Sequence, residues 1–326
     1  MSEAPFVLLL DHGRIALPVL DRIRSVGCRV AALGGDTTVT ARADHVFSSV
    51  DEIARITPEL AGILCFADQS KAREREIGLR FGLPVVSADT LKGSRDKARL
   101  REILRRSGVD DLNTRFIPDS MVEIALPERF PIVMKPNFGF ASTGVAIARD
   151  AGEFHKNLSR IRRLNRMALS RTLDGDTGTL CEPYLRGVEL AIDSLTVGGA
   201  TRIFGISHRL YAGEGNFQDF VYHTDPEVYP RLAAELTPLI EKTVSALGYR
   251  GGPSHIEVRF DPERKTWHVL DVGLRVGAGG NIGLMIERAA GVPYLELAIS
   301  ASLGRLSERK LSFLAPRSLP LRCFLW

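Results

Sequence analysis

Two acidic residues in the last third of the chain have the spacing that most clearly predicts a pair of neighbouring carboxylates able to take part in chemistry. Glu257 lies in the run His255–Phe260, where polar and apolar residues alternate, and Asp271 lies in a second alternating run, His268–Leu274. Such alternation is typical of half-buried strands, and the polar, proline-containing connection Asp261–Thr266 is typical of a hairpin. The alternation assigns three residues of the second strand to the core face: Leu270, Val272 and Leu274.

The predicted hairpin places the two carboxylates side by side. If its register is symmetric about Arg264, Glu257 lies opposite Asp271, with Cβ atoms roughly 4.5–5.5 Å apart. Carboxylates so close repel each other, and Mg²⁺ would offset the repulsion, because it prefers oxygen ligands and usually takes one or two protein carboxylates plus substrate phosphates. Arg275 lies on the same face and can bind phosphate or a developing oxyanion there. From these strands alone, the alternative is a solvated acidic pair on an exposed sheet face, with Arg259 and Arg275 as surface partners.

Length and composition describe an ordinary globular protein. The chain has 326 residues, of which 25% are charged, and a net charge of +4, which favours two domains or three small ones and gives no indication of a nucleic-acid partner. Its four cysteines are widely separated and show no CxxC spacing, which favours a reduced, cytoplasmic protein. The start, MSEAPFVLLLD, reads as a buried strand and not as a signal peptide. No apolar run approaches the roughly 20 residues that cross a bilayer, so no membrane association is expected.

The first 90 residues alternate between strand and helix patterns. A regular alternation of this kind predicts a small parallel α/β unit. GxGxxG does not follow the first strand, so a dinucleotide site is not supported. Asp11–Gly13 and Ala67–Gln69 lie at strand ends, where open α/β sheets bind ligands, but turn chemistry explains them equally well and no role is assigned to them. Four short strands are predicted: Phe6–Leu10, Val30–Leu33, Val46–Ser48 and Gly62–Phe66.

A loop of small residues follows the next buried strand. The strand Pro131–Pro136 carries Lys135, and residues 137–144 (NFGFASTG) connect it to a strand at Val145–Arg149. The loop joins two strands and lacks GxxxxGK[ST], so it is not a P-loop. Its backbone N–H groups can still close over phosphate oxygens beside Lys135, the alternative being a plain glycine-rich hairpin turn.

The remaining elements follow from apolar alternation and helical periodicity. A basic helix at Arg95–Ser107 includes Lys97, and a short helix is predicted at Pro118–Leu126. Tyr211–His223 is aromatic and polar with two glycines, which favours a binding loop. The other predicted strands and helices are Thr179–Leu185, Glu189–Val197, Thr201–Leu210, Pro226–Leu247, Ile282–Ala290 and Tyr294–Leu303.

The order of these pieces resembles the ATP-grasp superfamily, and in particular its carboxylate–amine ligases of the L-amino-acid-ligase type. The matching stretches are SRDKARLREIL, FPIVMKPNFGFASTGVAI, CEPYLRGVELAIDSL and SHIEVRF…HVLDVGLRVGAGG. The resemblance implies an α/β (α+β) fold, in which a small N-terminal parallel α/β domain (residues 1–90) precedes a two-subdomain ATP-grasp fold. The first subdomain (91–185) would carry the glycine-rich lid, and the second (186–326) the metal site.

The resemblance implies ATP as the nucleotide and assigns residues to each of its parts. Lys97 and Lys135 would contact the phosphates. Glu182 and Leu185 would border the adenine, and Glu189 would hold the ribose hydroxyls. The lid over the phosphates would include Gly139, Ser142, Thr143 and Gly144.

The same resemblance makes Glu257 and Asp271 the Mg²⁺ ligands and Arg275 the catalytic residue that steadies the acyl phosphate and the tetrahedral state. Two departures from the family pattern lie here. The second ligand is usually Glu, and the Asn that usually follows two residues later is Gly273, which removes a ligand or orienting group. In the predicted register Gly273 faces His255, which either fills part of the gap or is a core or surface histidine.

The implied activity is that of an ATP-dependent ligase. A small carboxylate, such as an amino acid, would be activated as an acyl phosphate and coupled to an amine, with release of ADP and phosphate; no nucleophilic Ser or Cys is required. The alternatives are carboxylase-type or purine-type ligation and a non-catalytic nucleotide-binding module. The expected partners are the two small-molecule substrates and, by the commonness of two-fold assemblies, a second copy of the chain. The residues predicted to shape substrate choice are Arg209, Glu214, Phe217, Tyr222, His223, Gly279 and Gly280.

Overall fold

The computed structural model describes residues 3–56, 58–139, 142–169, 176–211 and 219–325. In this part of the chain the strands form one parallel sheet and two antiparallel sheets. The mixed α/β fold class predicted from the sequence is thereby confirmed. The boundaries placed after residues 90 and 185 stay a prediction.

The N-terminal unit is a four-stranded parallel sheet in the order β3-β2-β1-β4. Its first strand is buried along its whole length, as expected where both faces of a parallel sheet are covered. The elements in chain order are β1 (Phe6–Leu10), α1 (Leu17–Ser25), β2 (Arg29–Leu33), α2 (Thr37–Thr40), β3 (His45–Phe47), α3 (Val50–Ile56), β4 (Leu60–Cys65), α4 (Lys71–Arg80) and α5 (Ala88–Arg95).

The second sheet has four antiparallel strands in the order β5-β8-β6-β7. The short helix expected at Pro118–Leu126 is wrong, because Pro118 is the last residue of the strand 115–118 and residues 119–126 form a turn followed by irregular chain. The elements are α6 (Lys97–Arg106), β5 (Arg115–Pro118), β6 (Ile132–Pro136), β7 (Ala146–Ala148), α7 (Ala151–Leu164) and β8 (Gly178–Pro183).

The third sheet has six antiparallel strands in the order β13-β12-β9-β10-β11-β14. Part of the predicted binding loop is itself a strand, since β11 pairs with β10, so the loop assignment of residues 219–223 is wrong. The elements are β9 (Glu189–Val197), β10 (Ala200–Tyr211), β11 (Asp219–Thr224), α8 (Tyr229–Ala246), β12 (Gly251–Asp261), β13 (Thr266–Gly273), α9 (Asn281–Ala290), α10 (Tyr294–Ser302), α11 (Glu308–Leu314) and β14 (Phe324–Leu325).

One hydrophobic core joins the N-terminal unit to the six-stranded sheet. Val19 and Leu20 of α1 lie in the same buried cluster as Ile282 of α9 and Leu295 of α10. Because these helices pack on one another, the carboxyl end of β4 is held beside the end of β13. No helix in the described ranges is long and apolar enough to span a membrane.

The β12–β13 hairpin aligns Glu257 with Asp271, as predicted. The predicted register is wrong nearer the turn, where Val258 pairs with Val269 and a one-residue shift follows. Leu270 is therefore the extra residue of a β-bulge, which displaces the alternation on β13 by one position. Val269 is consequently fully buried in the core, whereas Leu270 lines the cavity described below, so the core placement expected for Leu270 is wrong.

Candidate active site

A cavity of about 540 Å³ is lined by residues of both antiparallel sheets and of the N-terminal unit. It gathers most of the side chains singled out from the sequence, although they come from widely separated parts of the chain. Glu214 and Phe217 lie outside the described residues. The predicted residues that line the cavity are Lys97, Lys135, Gly139, Ser142, Thr143, Glu182, Leu185, Glu189, Arg209, Tyr222, Glu257, Asp271 and Arg275.

Lys97 and Asp271 form an ion pair in this cavity. Lys97 is the first residue of α6, and its Nζ lies 2.9 Å from Asp271 Oδ2 and 3.4 Å from the Gly139 carbonyl oxygen. Burial disfavours the charge on Lys97, but Asp271 outweighs burial and raises the pKa of the lysine. Burial likewise acts against the charge on Asp271, but Lys97 and then Lys135 lower the pKa of that carboxyl. Both side chains are therefore charged at neutral pH.

Glu182 is buried between two cations. Its Oε2 lies 2.7 Å from Lys135 Nζ, and its Oε1 accepts a hydrogen bond from Arg101 Nε at 2.7 Å. Burial alone would raise the pKa of Glu182, but Arg101 and Lys135 outweigh it and lower the pKa. Burial lowers the pKa of Lys135, and the opposing effect of the Glu182 charge is too small to cancel it. Arg101 was not singled out from the sequence, although its spacing of four from Lys97 places both on one face of α6.

Arg101 also contacts strand β13 and Asp110. It donates hydrogen bonds to the carbonyl oxygens of Val269 and, at 3.3 Å, Leu270, and its Nη1 lies 3.6 Å from Asp110 Oδ2. The Leu270 carbonyl also accepts from Lys135 Nζ at 3.3 Å. The Leu270 carbonyl oxygen thus accepts a hydrogen bond from each of the two cations that flank Glu182.

Charged side chains alternate in sign across three strands of the six-stranded sheet. One nitrogen of Arg209 lies 2.6 Å from Glu189 and 2.7 Å from Glu257, and Arg259 lies 3.3 Å from the second oxygen of Glu189. The Arg209 guanidinium also lies 5.7 Å from the centroid of the Tyr222 ring. The ribose role of Glu189 and the substrate role of Arg209 therefore fall on one ion-pair network, and both stay predictions.

Arg275 is paired with a residue of the N-terminal unit. Its Nε donates to Asp68 Oδ2 at 2.9 Å, and its Nη2 lies 2.8 Å from the same oxygen. Asp68 and Gln69 line the cavity together with Arg275. They belong to the strand-end stretch Ala67–Gln69 to which the sequence alone assigned no role.

His255 also lines the cavity, but it is directed toward a buried aspartate. Its Nδ1 lies 3.1 Å from Asp193 Oδ1. Gly277 closes over this pair, because a Cβ there would lie 2.6 Å from the imidazole Nδ1. The cross-strand pairing of His255 with Gly273 is as predicted.

His223 is not among the described residues that line the cavity. Neighbouring residues of a strand point to opposite faces, and Tyr222 of β11 takes the cavity side. The His223 ring stacks instead on His208 and Phe324, with centroids 4.8 and 5.6 Å away.

Two of the predicted glycines, Gly144 and Gly280, are not among the described residues that line the cavity. Gly144 has φ +82° and packs so closely that a Cβ would lie 2.8 Å from Pro136 Cγ. Gly279 and Gly280 lie in the 3₁₀ turn Gly277–Gly280, and Gly280, at φ +122°, approaches the Ile15 carbonyl oxygen of the N-terminal unit. Packing accounts for Gly144 and Gly280, and their binding roles stay predictions.

Glu257 and Asp271 have the donor chemistry of a site for a hard cation. Both are oxygen donors in the cavity wall, they occupy opposite positions on adjacent strands, and their side chains are 26% and 33% exposed. Each is charge-balanced by a basic side chain, Arg209 or Lys97, that a cation would have to displace in part. These residues therefore fit the magnesium site that the resemblance implies.

The match to a family model agrees with the fold and the site. Residues 128–281 match the model described as ATP-grasp domain. This range includes Lys135, Glu182, both opposed carboxylates and Arg275. The fold and the site thus agree with an ATP-grasp domain over these residues.

Individual relatives resemble the chain in fold or in sequence. The L-amino acid ligase from Bacillus licheniformis superposes with a TM-score of 0.83 at 19% identity, covering 99% of this chain and 80% of that chain. A biotin carboxylase from Campylobacter jejuni, solved as a β,γ-ATP complex, gives 0.75 at 16% identity and covers 99% and 75%. The carbamoyl phosphate synthase large chain of Agathobacter rectalis is 20% identical over 264 residues, which cover 78% of this chain and 23% of the relative. The chain spans about a quarter of the length of such curated relatives. It contains an ATP-grasp domain, and its overall fold is shared with the L-amino acid ligase.

Proposed function

We propose that the protein is an ATP-dependent carboxylate–amine ligase. It activates a small carboxylate, such as that of an amino acid, as an acyl phosphate, couples it to an amine and releases ADP and phosphate. The observation that carries the proposal is the convergence of Lys97, Lys135, the opposed pair Glu257 and Asp271, and Arg275 on one cavity. The ATP-grasp domain and the fold shared with an L-amino acid ligase support it.

In the first step the site binds the triphosphate and neutralises its charge. A carboxylate oxygen of the substrate attacks the γ-phosphorus, the bond to the β–γ bridging oxygen breaks, and ADP leaves. Lys97 and Lys135 supply positive charge, and Mg²⁺, held by Glu257 and Asp271, would add charge neutralisation at the phosphates. Little covalent chemistry is required of the protein, so positioning and electrostatics are its main contributions.

In the second step an amine attacks the acyl carbon. The nitrogen gives up a proton to solvent, the bond between the acyl carbon and the phosphate oxygen breaks, and phosphate leaves. Arg275 lies beside the opposed carboxylates and carries a fixed positive charge for the acyl phosphate and for the oxyanion that precedes its collapse. The small residues at Gly139, Ser142 and Thr143 line the same cavity and suit a lid that excludes water from the acyl phosphate.

The test is the release of ADP and phosphate with Mg-ATP across amino acids and small carboxylates, singly and in pairs. Release that requires a particular carboxylate together with an amine, and that falls by at least about 10²-fold in Glu257→Gln, is the expected result. Glu263→Gln, an exposed position in the turn of the same hairpin, is the matched control and should leave turnover unchanged.

Other outcomes would point to the alternatives. Release that depends on bicarbonate and not on an amine would replace the proposal with carboxylase-type chemistry, which the biotin carboxylase fold match makes the second candidate. Tight ATP binding without stimulated release from any pair would favour a non-catalytic nucleotide-binding module.

A homodimer is also proposed, and sedimentation equilibrium would test it.

A further inference from the structure

We propose that Asp68, which belongs to the N-terminal unit, is a positioning residue for Arg275. We further propose that the ion pair of the two residues takes the space of the side chain missing at Gly273. The inference rests on the proposed function, because Arg275 is the residue assigned there to the acyl phosphate. It adds a residue that lies outside the ATP-grasp sheets and outside the matched range 128–281.

The contact between Asp68 and Arg275 is short and partly sheltered. One carboxylate oxygen, Oδ2, lies 2.9 Å from Nε and 2.8 Å from Nη2 of the arginine, and the side chains are 27% and 19% exposed. Asp68 follows β4 at the carboxyl edge of the parallel sheet, and Arg275 follows β13. The pair therefore joins two units whose residues are 207 positions apart in the chain.

Gly273 provides the space in which this contact forms. A Cβ built there would have as its nearest neighbours Arg275 Cζ at 3.4 Å, Arg275 Nη2 at 3.5 Å and Asp68 Oδ1 at 3.5 Å. A methyl group would make ordinary contacts, but a longer side chain such as Asn extends into the volume filled by the ion pair. His255 is not among these nearest neighbours, so the Arg275–Asp68 pair and not His255 occupies the gap that Gly273 leaves.

The anchored arginine retains hydrogen-bonding capacity for a ligand. A guanidinium has five N–H donors, and Asp68 together with the Val276 carbonyl, 3.2 Å from Nη1, engages at most three of them. At least two donors remain for a phosphoryl or carboxylate group, which Arg binds well in pairs. Without Asp68, the negative charges of Glu257 and Asp271 would compete for the same guanidinium. Asp68 thus keeps Arg275 apart from the carboxylates that the proposed function reserves for Mg²⁺.

The first experiment compares Asp68→Asn with Asp51→Asn. Asp51 forms an exposed ion pair with Arg80 at 2.9 Å elsewhere in the N-terminal unit, so it controls for the loss of an Asp–Arg contact. We expect Asp68→Asn to lower kcat for the productive substrate pair by about 10²-fold, with KM for ATP and the thermal midpoint within the range of the control. A purely structural contact would instead shift the midpoint and leave kcat of the folded fraction unchanged, and that result would overturn the inference.

The second experiment tests the shared space directly by a double-mutant cycle. Gly273→Asn alone should be as harmful as Asp68→Ala, because the new side chain displaces the ion pair. The double variant Asp68→Ala with Gly273→Asn should recover at least about tenfold in kcat over the product of the single effects. Strictly multiplicative effects would contradict the shared-space argument.

Failure of this inference can be told apart from failure of the proposed function. If the wild type turns over and Asp68→Asn has the same kcat, the positioning role of Asp68 is refuted and the proposed ligase activity is not. If the wild type releases no phosphate with any pair, the ligase falls, and the same cycle measured by urea unfolding decides the inference. Positive coupling between positions 68 and 273 in unfolding would support the shared space, and additive effects would overturn it.

Discussion

Lys97 Nζ lies 2.9 Å from Asp271 Oδ2, so the first residue of helix α6 is fixed to a carboxylate near the end of strand β13. The pair spans the cavity from the small-residue loop, whose Gly139 carbonyl also lies near the lysine, to the opposed carboxylates. Each of these carboxylates is balanced by its own basic residue, Lys97 or Arg209. Their mutual repulsion is therefore offset before any ligand binds.

Replacing Lys97 by Met should weaken Mg-ATP binding by more than about tenfold, because a charge-assisted contact is lost in a largely buried site. Isothermal titration with a non-hydrolysable ATP analogue measures the change. Lys92→Met, at an exposed position of α5, is the control. Equal affinities of the two variants would remove Lys97 from the nucleotide site.

Replacing Arg101 by Met should destabilise the protein by about 3–5 kcal/mol, since Glu182 would lose one of two cations inside the protein. The side chains of Arg101 and Glu182 are only 5% and 3% exposed, so water cannot replace the lost partner. Arg106→Met removes the exposed helical pair with Glu102 and should change the free energy of unfolding by no more than about 0.5 kcal/mol. Urea unfolding of both variants gives the comparison, and similar values would show that Glu182 is solvated in solution.

The structure also predicts how stability depends on pH. Burial acts to raise the pKa of Asp110, but hydrogen bonding to His268 and the charge of Arg101 outweigh it, so the pKa is lower in the folded protein. A depressed carboxyl pKa contributes stability that is complete above the unfolded value of about 3.9 and is lost as the pH falls through the folded value. The free energy of unfolding should therefore decline as the pH falls below about 4.

Asp110→Asn should be less stable at neutral pH and should show a shallower decline in acid. Asp111→Asn, at the exposed neighbouring position, should keep the wild-type slope. Urea midpoints between pH 3 and pH 7 measure both slopes. Parallel curves for wild type and Asp110→Asn would contradict the assignment.

Gly277→Ala should cost about 1–3 kcal/mol by overpacking. Its Cβ would lie 2.6 Å from His255 Nδ1 and 2.8 Å from Asp193 Oδ1, both inside the protein. Gly251→Ala, where nothing lies within 4 Å of a Cβ, should be neutral or slightly stabilising. Thermal unfolding of the two alanine variants separates the outcomes, and equal midpoints would mean that the His255–Asp193 pair yields without cost.

The sequence predicted the parts of the site that follow from local periodicity. Glu257 opposite Asp271 came from alternation in two strands joined by a short turn, and that pairing is confirmed. The parallel N-terminal sheet followed from alternating strands and helices and is also confirmed. These features depend on residues close together in the chain, where period and turn chemistry are sufficient.

The partners of the predicted residues could not be read from the sequence. Arg275 meets Asp68, and Glu182 meets Arg101, only because three sheets pack around one cavity. Helix propensity also misled the interpretation at Pro118–Leu126, where a strand ends at Pro118 and the chain continues as a turn and irregular structure. Long-range packing sets these contacts, and no local pattern encodes it.

The bulge at Leu270 changes which residues of strand β13 face the hydrophobic core. On the turn side, the odd-numbered Val269 faces the core opposite Val258; beyond the bulge, the even-numbered Val272 does so opposite Ile256. If Leu270 instead took a regular place in the ladder opposite Glu257, Asp271 would pair with Ile256 and point into the hydrophobic core. The bulge therefore lets Val269 and Val272 both face the core while Asp271 stays opposite Glu257, and it is the carbonyl group of Leu270, not the register, that a deletion of this residue would remove.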